Sequence, residues 1–88
     1  MKPTIGRIVH YRSKTGNYTM PAIIIATKDT LWQEGVDKGD VPAITGDNVH
    51  LLCFTTGKQI QYQEFDVPYA EKTDGAATAG TWVWPDRI

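Results

Sequence analysis

Cysteine, serine and histidine are scarce in this chain, and each shortage removes a class of chemistry. Cys53 stands alone among 88 residues, so no intrachain disulfide can form. It lies inside an apolar run, Val49-His50-Leu51-Leu52-Cys53-Phe54, where a lone cysteine reads as a buried thiol of a reducing compartment. With His10 and His50 it offers at most three soft ligands, at no zinc spacing, so neither a metal nor a cofactor is expected. Ser13, the one serine, sits in a polar turn without the strand–turn–helix elbow that presents a nucleophile. His50 and Cys53, three apart on a strand, project to opposite faces and cannot act as base and nucleophile. Lys14-Thr15-Gly16 lacks the upstream glycines and the Gly-Lys-Ser/Thr order of a phosphate loop. The chain reads as a non-enzyme.

Charge of one sign is also missing. The formal net charge is −1, whereas a protein that coats duplex nucleic acid carries a basic surplus. The acidic stretch holding Asp29, Glu34, Asp37, Asp40 and Asp47 has no alternating oxygen ladder of the calcium-loop kind, so it reads as solvated loop charge. The longest apolar run, Pro21 to Ala26, is far short of the roughly 20 residues that span a bilayer, and no secretory leader is apparent at the N-terminus. Eighty-eight residues with 41% hydrophobic and 22% charged side chains make one domain, residues 1–88, with a modest core.

What is present is strand signal. Gly6 to Tyr11 is a first strand, with Ile8 and His10 on one side, Val9 and Tyr11 on the other, and both sides partly covered. A polar turn over Arg12 to Asn17 leads through Tyr18-Thr19-Met20 to a second strand, Pro21 to Thr27. Three successive isoleucines there disfavour helix, and Pro21 is expected at the strand start, where its missing N–H is harmless. Asn48 to Thr55 alternates Val49, Leu51 and Cys53 against His50, Leu52 and Phe54. Thr56-Gly57 turns it back into Lys58 to Gln63, with Ile60 and Tyr62 inward, and the chain leaves that strand by Pro68. Glu71 to Gly80 has the composition of a loop, and Thr81 to Trp84 is a last short strand stopped by Pro85.

Residues 28–47 form the one long loop. Thr30 to Glu34 allows a single helical turn capped by Asp29 or Thr30, and Gly35 and Gly39 interrupt anything longer. Such a loop is long for a compact domain and points to function; the alternative is an Ω-like cap with Leu31, Trp32 and Val36 tucked onto the core. About five short strands without a long helix must curl to bury their apolar side. The expectation is an all-β fold, a small partly open β-barrel of SH3-like kind, with an OB-like barrel second.

Four tyrosines and three tryptophans exceed what so small a core readily holds. Such rings combine a rigid apolar body with a polar tip and are enriched at interfaces. Trp82 and Trp84, two apart, share one face of a strand and serve either as core plug or as binding platform. The expected binding residues are Tyr11, Arg12, Tyr18, Trp32, Tyr69, Trp82, Trp84 and Arg87. Arg7 and Lys14 join Arg12 and Arg87 as cations that could meet an anionic small ligand. The partner is a protein or a second copy of the chain, or alternatively a small ligand such as a nucleotide or signalling molecule held by an oligomer.

The pieces Val9-His10-Tyr11, Pro21-Ala22-Ile23-Ile24, Val49 to Phe54, Val67-Pro68-Tyr69 and Gly80-Thr81-Trp82-Val83-Trp84-Pro85 run along most of the chain, and the last of them alone is distinctive. That layout resembles a group of small proteins encoded by bacteriophages and prophages, which end near Gly-Thr-Trp-His-Trp-Pro. Val83 stands where such endings often carry histidine, which argues against a chemical role there. The resemblance implies a phage-encoded accessory protein in the cytoplasm of an infected bacterium, and the surplus aromatics with near-neutral charge point to its engaging a host or virion protein. It supplies no activity and no active residues.

Overall fold

The computed structural model describes residues 2–16, 18–55, 61–70 and 79–85. Five strands form one antiparallel sheet: β1 (Ile8–Arg12), β2 (Thr19–Ala26), β3 (Val49–Phe54), β4 (Gln61–Val67) and β5 (Trp82–Val83), in the spatial order β4-β3-β2-β1-β5. A short helix, α1 (Gln33–Lys38), lies between β2 and β3. The fold is all-β in its sheet. Immediately after β4 the chain crosses to the far side of β5. The Trp82 N–H donates to the Pro68 carbonyl and the Ala70 N–H to the Trp82 carbonyl, both at 3.0 Å, making a parallel bridge between Tyr69 and Trp82.

Side-chain alternation sorts the strands into a dry face and a second, more open face. Val9 and Tyr11 of β1, Met20, Ala22 and Ile24 of β2, and Val49, Leu51 and Cys53 of β3 are all buried on the dry face. Val67 and Trp82 complete this core, and Tyr62 and Trp84 pack against it. Ile8 on the opposite face of β1 is 59% exposed, so the expected cover on both sides of that strand is absent at its start. Burial at about 25 cal/mol per Å² of apolar surface makes this one-sided core the main favourable term.

Pro21 sits inside β2 rather than at its start, because the strand begins at Thr19. The register explains why this is tolerated. The Ile24 N–H reaches across to Arg7 of the β1 side, so even-numbered residues of β2 point their N–H groups that way and odd-numbered ones toward β3. Pairing with β3 begins only at Ala22 opposite Cys53, so no ladder bond is asked of Pro21. Strand β4 runs through Val67 and the chain leaves it at Pro68 as expected, while the predicted turn at Thr56-Gly57 and the inward Ile60 lie outside the described residues.

The helix departs from expectation in place and length. It starts at Gln33, Trp32 is its N-cap residue without a side-chain cap bond, and neither Asp29 nor Thr30 caps it. Thr30 instead takes the Thr27 N–H on its Oγ1 at 2.9 Å, closing a turn at the end of β2. Gly35 sits inside the helix without interrupting it, whereas Gly39 stops it as expected. A Cβ on Gly35 would fall 2.5 Å from Trp32 Cε3 and 2.6 Å from Val41 Cγ2, so only glycine lets that indole lie against the helix. Gly39 ends the helix at φ 84°, the left-handed conformation in which a side chain is strained. Trp32 is not tucked onto the core; it remains 56% exposed.

The later half of the long loop is fastened to the sheet through Asp66. A bulge in the β3–β4 pairing, between Val49/Val67 and Leu51/Glu64, leaves one extra residue on β4, and Asp66 there takes φ 53°. Its carboxylate accepts the Thr45 N–H at 2.7 Å, the Thr45 hydroxyl at 2.9 Å and an Asn48 side-chain N–H at 3.2 Å. Its own N–H donates to His50 Nδ1 at 2.9 Å, which leaves Nε2 to donate to the Pro42 carbonyl at 2.8 Å. His50 is thereby a buried tie, 2% exposed, with the Phe65 ring edge-on at 5.1 Å.

The Thr45 backbone N–H, then the Thr45 and Asn48 side chains and the nearby His50, hold the Asp66 carboxyl below its ordinary range. A carboxyl lowered in the folded state stabilises it fully above the unfolded value and loses that contribution as pH falls through the folded one. Asp66→Asn is therefore expected to lower the urea midpoint at pH 7, and the gap to wild type should close as pH falls below about 4. A gap of the same size at pH 7 and pH 2.5 would show that the charge of Asp66 contributes nothing.

Candidate functional site

Two turns bring charged residues to one end of the sheet. Strands β2 and β3 are neighbours, with Ala26 opposite His50, so the residues following β2 and preceding β3 emerge side by side. Lys28 reaches Asp47 across this gap at 2.7 Å, and Lys2 reaches Asp29 at 3.0 Å. The pairing with Lys28 lowers the Asp47 carboxyl and raises the Lys28 ammonium, through the hydrogen bond first and the charges second. All four groups keep substantial contact with water, so these pairs organise the rim more than they stabilise the fold.

The strand β5 and the segment after β4 supply the wall beside that rim. Tyr69 and Trp82 pack at 4.8 Å between ring centroids with planes tilted 58°, and Trp84 meets Trp82 edge-on at 5.1 Å. Arg7 lies over the Trp84 ring, 5.4 Å from its centroid. Rim and wall enclose a cleft of about 540 Å³, with Pro3, Thr27 and Asn48 completing the lining. Trp82 is 2% exposed, and its indole Nε1–H has no hydrogen-bond partner among the described residues. The cleft therefore combines aromatic rings in its wall with ammonium and carboxylate groups at its mouth.

Of the residues expected to bind, Tyr69, Trp82 and Trp84 meet here. Trp82 does both of the jobs the sequence left open, since it fills the core and walls the cleft. Tyr11 is sealed in the core, 0% exposed, and offers no surface for contact. Burial, then the charge of the nearby Glu64, raises its phenol well above the ordinary range. Arg12 is at the other end of β1, donating from Nη1 to Thr19 Oγ1 at 3.1 Å. Tyr18 lines a second cleft beyond that end, Trp32 stands on the helix start and lines neither cleft, and Arg87 lies outside the described residues. Lys2, Lys28 and Asp47 were not singled out as ligand contacts, because nothing in their local sequence marks them; only the β2–β3 register assembles them.

Cys53 and His50 do not come together as nucleophile and base. Burial, then Glu64, pushes the Cys53 thiol up to about 12, so it is protonated and inert at neutral pH. His50 lies on the other face of β3, with both ring nitrogens engaged. Among the described residues no group of three or more His, Cys, Asp or Glu side chains is placed to hold a metal ion, and no helix is long and apolar enough to cross a membrane. Comparison with protein-family models, curated proteins and solved structures finds no match for this chain.

The two tryptophans should separate on truncation. Trp82→Ala empties a buried indole site and should cost about 3–5 kcal/mol in chemical denaturation, enough to threaten folding. Trp84→Ala removes a half-buried ring and should cost less than half as much. Equal losses would mean that the two rings share one structural role.

Proposed function

We propose that this chain is a non-enzymatic binding protein that takes a small ligand, carrying a flat ring and a negative group, into the cleft beside Trp82 and Trp84. The observation that carries this reading is an open cleft of about 540 Å³ whose lining brings Tyr69, Trp82 and Trp84 together with Lys2 and Lys28, a size within the range of small-molecule pockets. Tyr69 and Trp84 supply ring faces for stacking. Lys2 and Lys28, now paired to Asp29 and Asp47, supply ammonium groups that an anionic ligand would draw away from their carboxylates. A nucleotide or nucleotide-like signalling molecule has this chemistry. The chain would act by sequestering it, as an oligomer, in the cytoplasm of a phage-infected bacterium, the setting implied by the resemblance of its ending.

The scaffold in this reading is a partly open barrel of SH3-like kind. It is supported by the two hydrogen bonds between Pro68–Ala70 and Trp82, which link the trailing end of β4 to the far edge of β5. A second reading, engagement of a host or virion protein, is favoured by a different observation. Ile8 pairs with Ile23 and Ile23 with Leu52, so an apolar row crosses three strands on the face opposite the core.

Native mass spectrometry of protein purified from infected cells tests the first reading, together with tryptophan fluorescence titrated with adenosine monophosphate. The expected result is a retained mass of nucleotide size, with saturable quenching that Trp84→Ala weakens roughly ten-fold or more, a stacked base being worth about 1–3 kcal/mol. A bare protein mass with no saturable quenching would reject it. Loss of a co-purifying protein on Ile8→Asp would favour the second reading.

A further inference from the structure

A second cleft, of about 510 Å³, opens at the end of the sheet away from the Lys28–Asp47 rim. The turn between β1 and β2 contributes Ser13 and Lys14 to it, β4 contributes Tyr62 and Glu64, and Tyr18 stands at its mouth, 45% exposed. Glu64 is the unusual member. It pairs with Leu51, and Tyr62 with Cys53, so both project with those two residues toward the core side of the sheet. The Glu64 side chain is only 16% exposed, and in the described structure its ionic partner is Lys14, at 3.3 Å. That distance exceeds the roughly 2.7–2.9 Å of a strong charge-assisted bond, and the Lys14 side chain is itself 75% exposed. A carboxylate taken largely out of water is thus answered by a loosely held, hydrated ammonium.

The groups around that carboxylate favour a cation. Tyr18 and Tyr62 present ring surface, whose negative faces attract ammonium groups. The Tyr62 hydroxyl is turned to Met20 Sδ at 3.5 Å, so this residue offers the cleft ring more than hydroxyl. The Tyr11 phenol lies on the core side of Glu64 and stays protonated, so it brings the carboxylate no positive charge. Ser13, 6% exposed, adds a hydroxyl within reach of the mouth, shared with Thr15 at 3.1 Å.

We propose that this cleft binds a small organic ammonium ligand, such as a polyamine, whose charged nitrogen displaces Lys14 and pairs with Glu64 between Tyr18 and Tyr62. Lys14 is then an internal stand-in for the ligand, and the two compete. This site is at the opposite end of the sheet from the tryptophan cleft and does not depend on the reading given to that one.

The competition gives a test whose sign a merely structural ion pair would not produce. Backbone amide NMR shifts of the full chain are followed during titration with spermidine at constant ionic strength. Saturable shifts are expected at Lys14, Tyr18, Tyr62 and Glu64. Lys14→Ala should tighten binding several-fold by removing the competitor, and Glu64→Gln should weaken it roughly ten-fold or more. Trp84→Ala should leave it unchanged. Lys14→Ala keeps the core intact and so remains informative even if Glu64→Gln fails to fold. Binding that weakens in Lys14→Ala, a folded Glu64→Gln with unchanged affinity, or shifts reproduced by sodium at equal ionic strength would each overturn the proposal.

Discussion

The structure depends on how one residue, Trp82, is held. Its backbone pairs with Tyr11 of β1 on one side and with Pro68 and Ala70 on the other. Its ring fills the core on one flank and carries Tyr69 and Trp84 on the other. A strand of two residues has almost no ladder of its own. It persists because burial of a large indole and hydrogen bonds to two partners act on the same short segment. The cleft follows from this placement, since removing that indole would remove both part of the core and the inner wall of the site.

A second fastening works at the other edge. The bulge at Asp66 turns a backbone N–H toward His50 and aims a carboxylate at Thr45 and Asn48, so the long loop is tied to β3 and β4 at once. That tie fixes where the loop re-enters the sheet, and therefore where Asp47 stands relative to Lys28. The cleft rim is thus positioned by a hydrogen-bond network whose members lie beside it. Helix α1 takes no visible part in this; it is a compact excursion closed by the Trp32–Gly35 contact and ended by Gly39.

Much of the sheet was legible because alternation is a strong signal. Val49, Leu51 and Cys53 faced the core as their spacing required, and the aromatic ending behaved as a same-side pair. The helix was misplaced because glycine propensity was weighed without the tertiary reason for it: Gly35 is there to admit an indole, and Gly39 to stop the helix. Tyr11 was counted as surface ring because composition cannot say which aromatic a small core will keep. The cleft rim was invisible in sequence for a topological reason. Lys2, Lys28 and Asp47 are far apart along the chain and meet only through the β2–β3 register and the chain's return beside β5. Glu64 likewise carries no mark in its local sequence; its pairing with Leu51 puts it on the core side.

The central claim is that β5 is a fixed structural member although it is only two residues long. Amide hydrogen exchange at Trp82 and Ala70, compared with that of Leu51 in the central sheet, tests it most directly. The account predicts that both amides exchange only with global unfolding, at the protection seen for Leu51. Exchange orders of magnitude faster than Leu51 would mean that the segment frays independently, and neither the core nor the cleft could then rest on it.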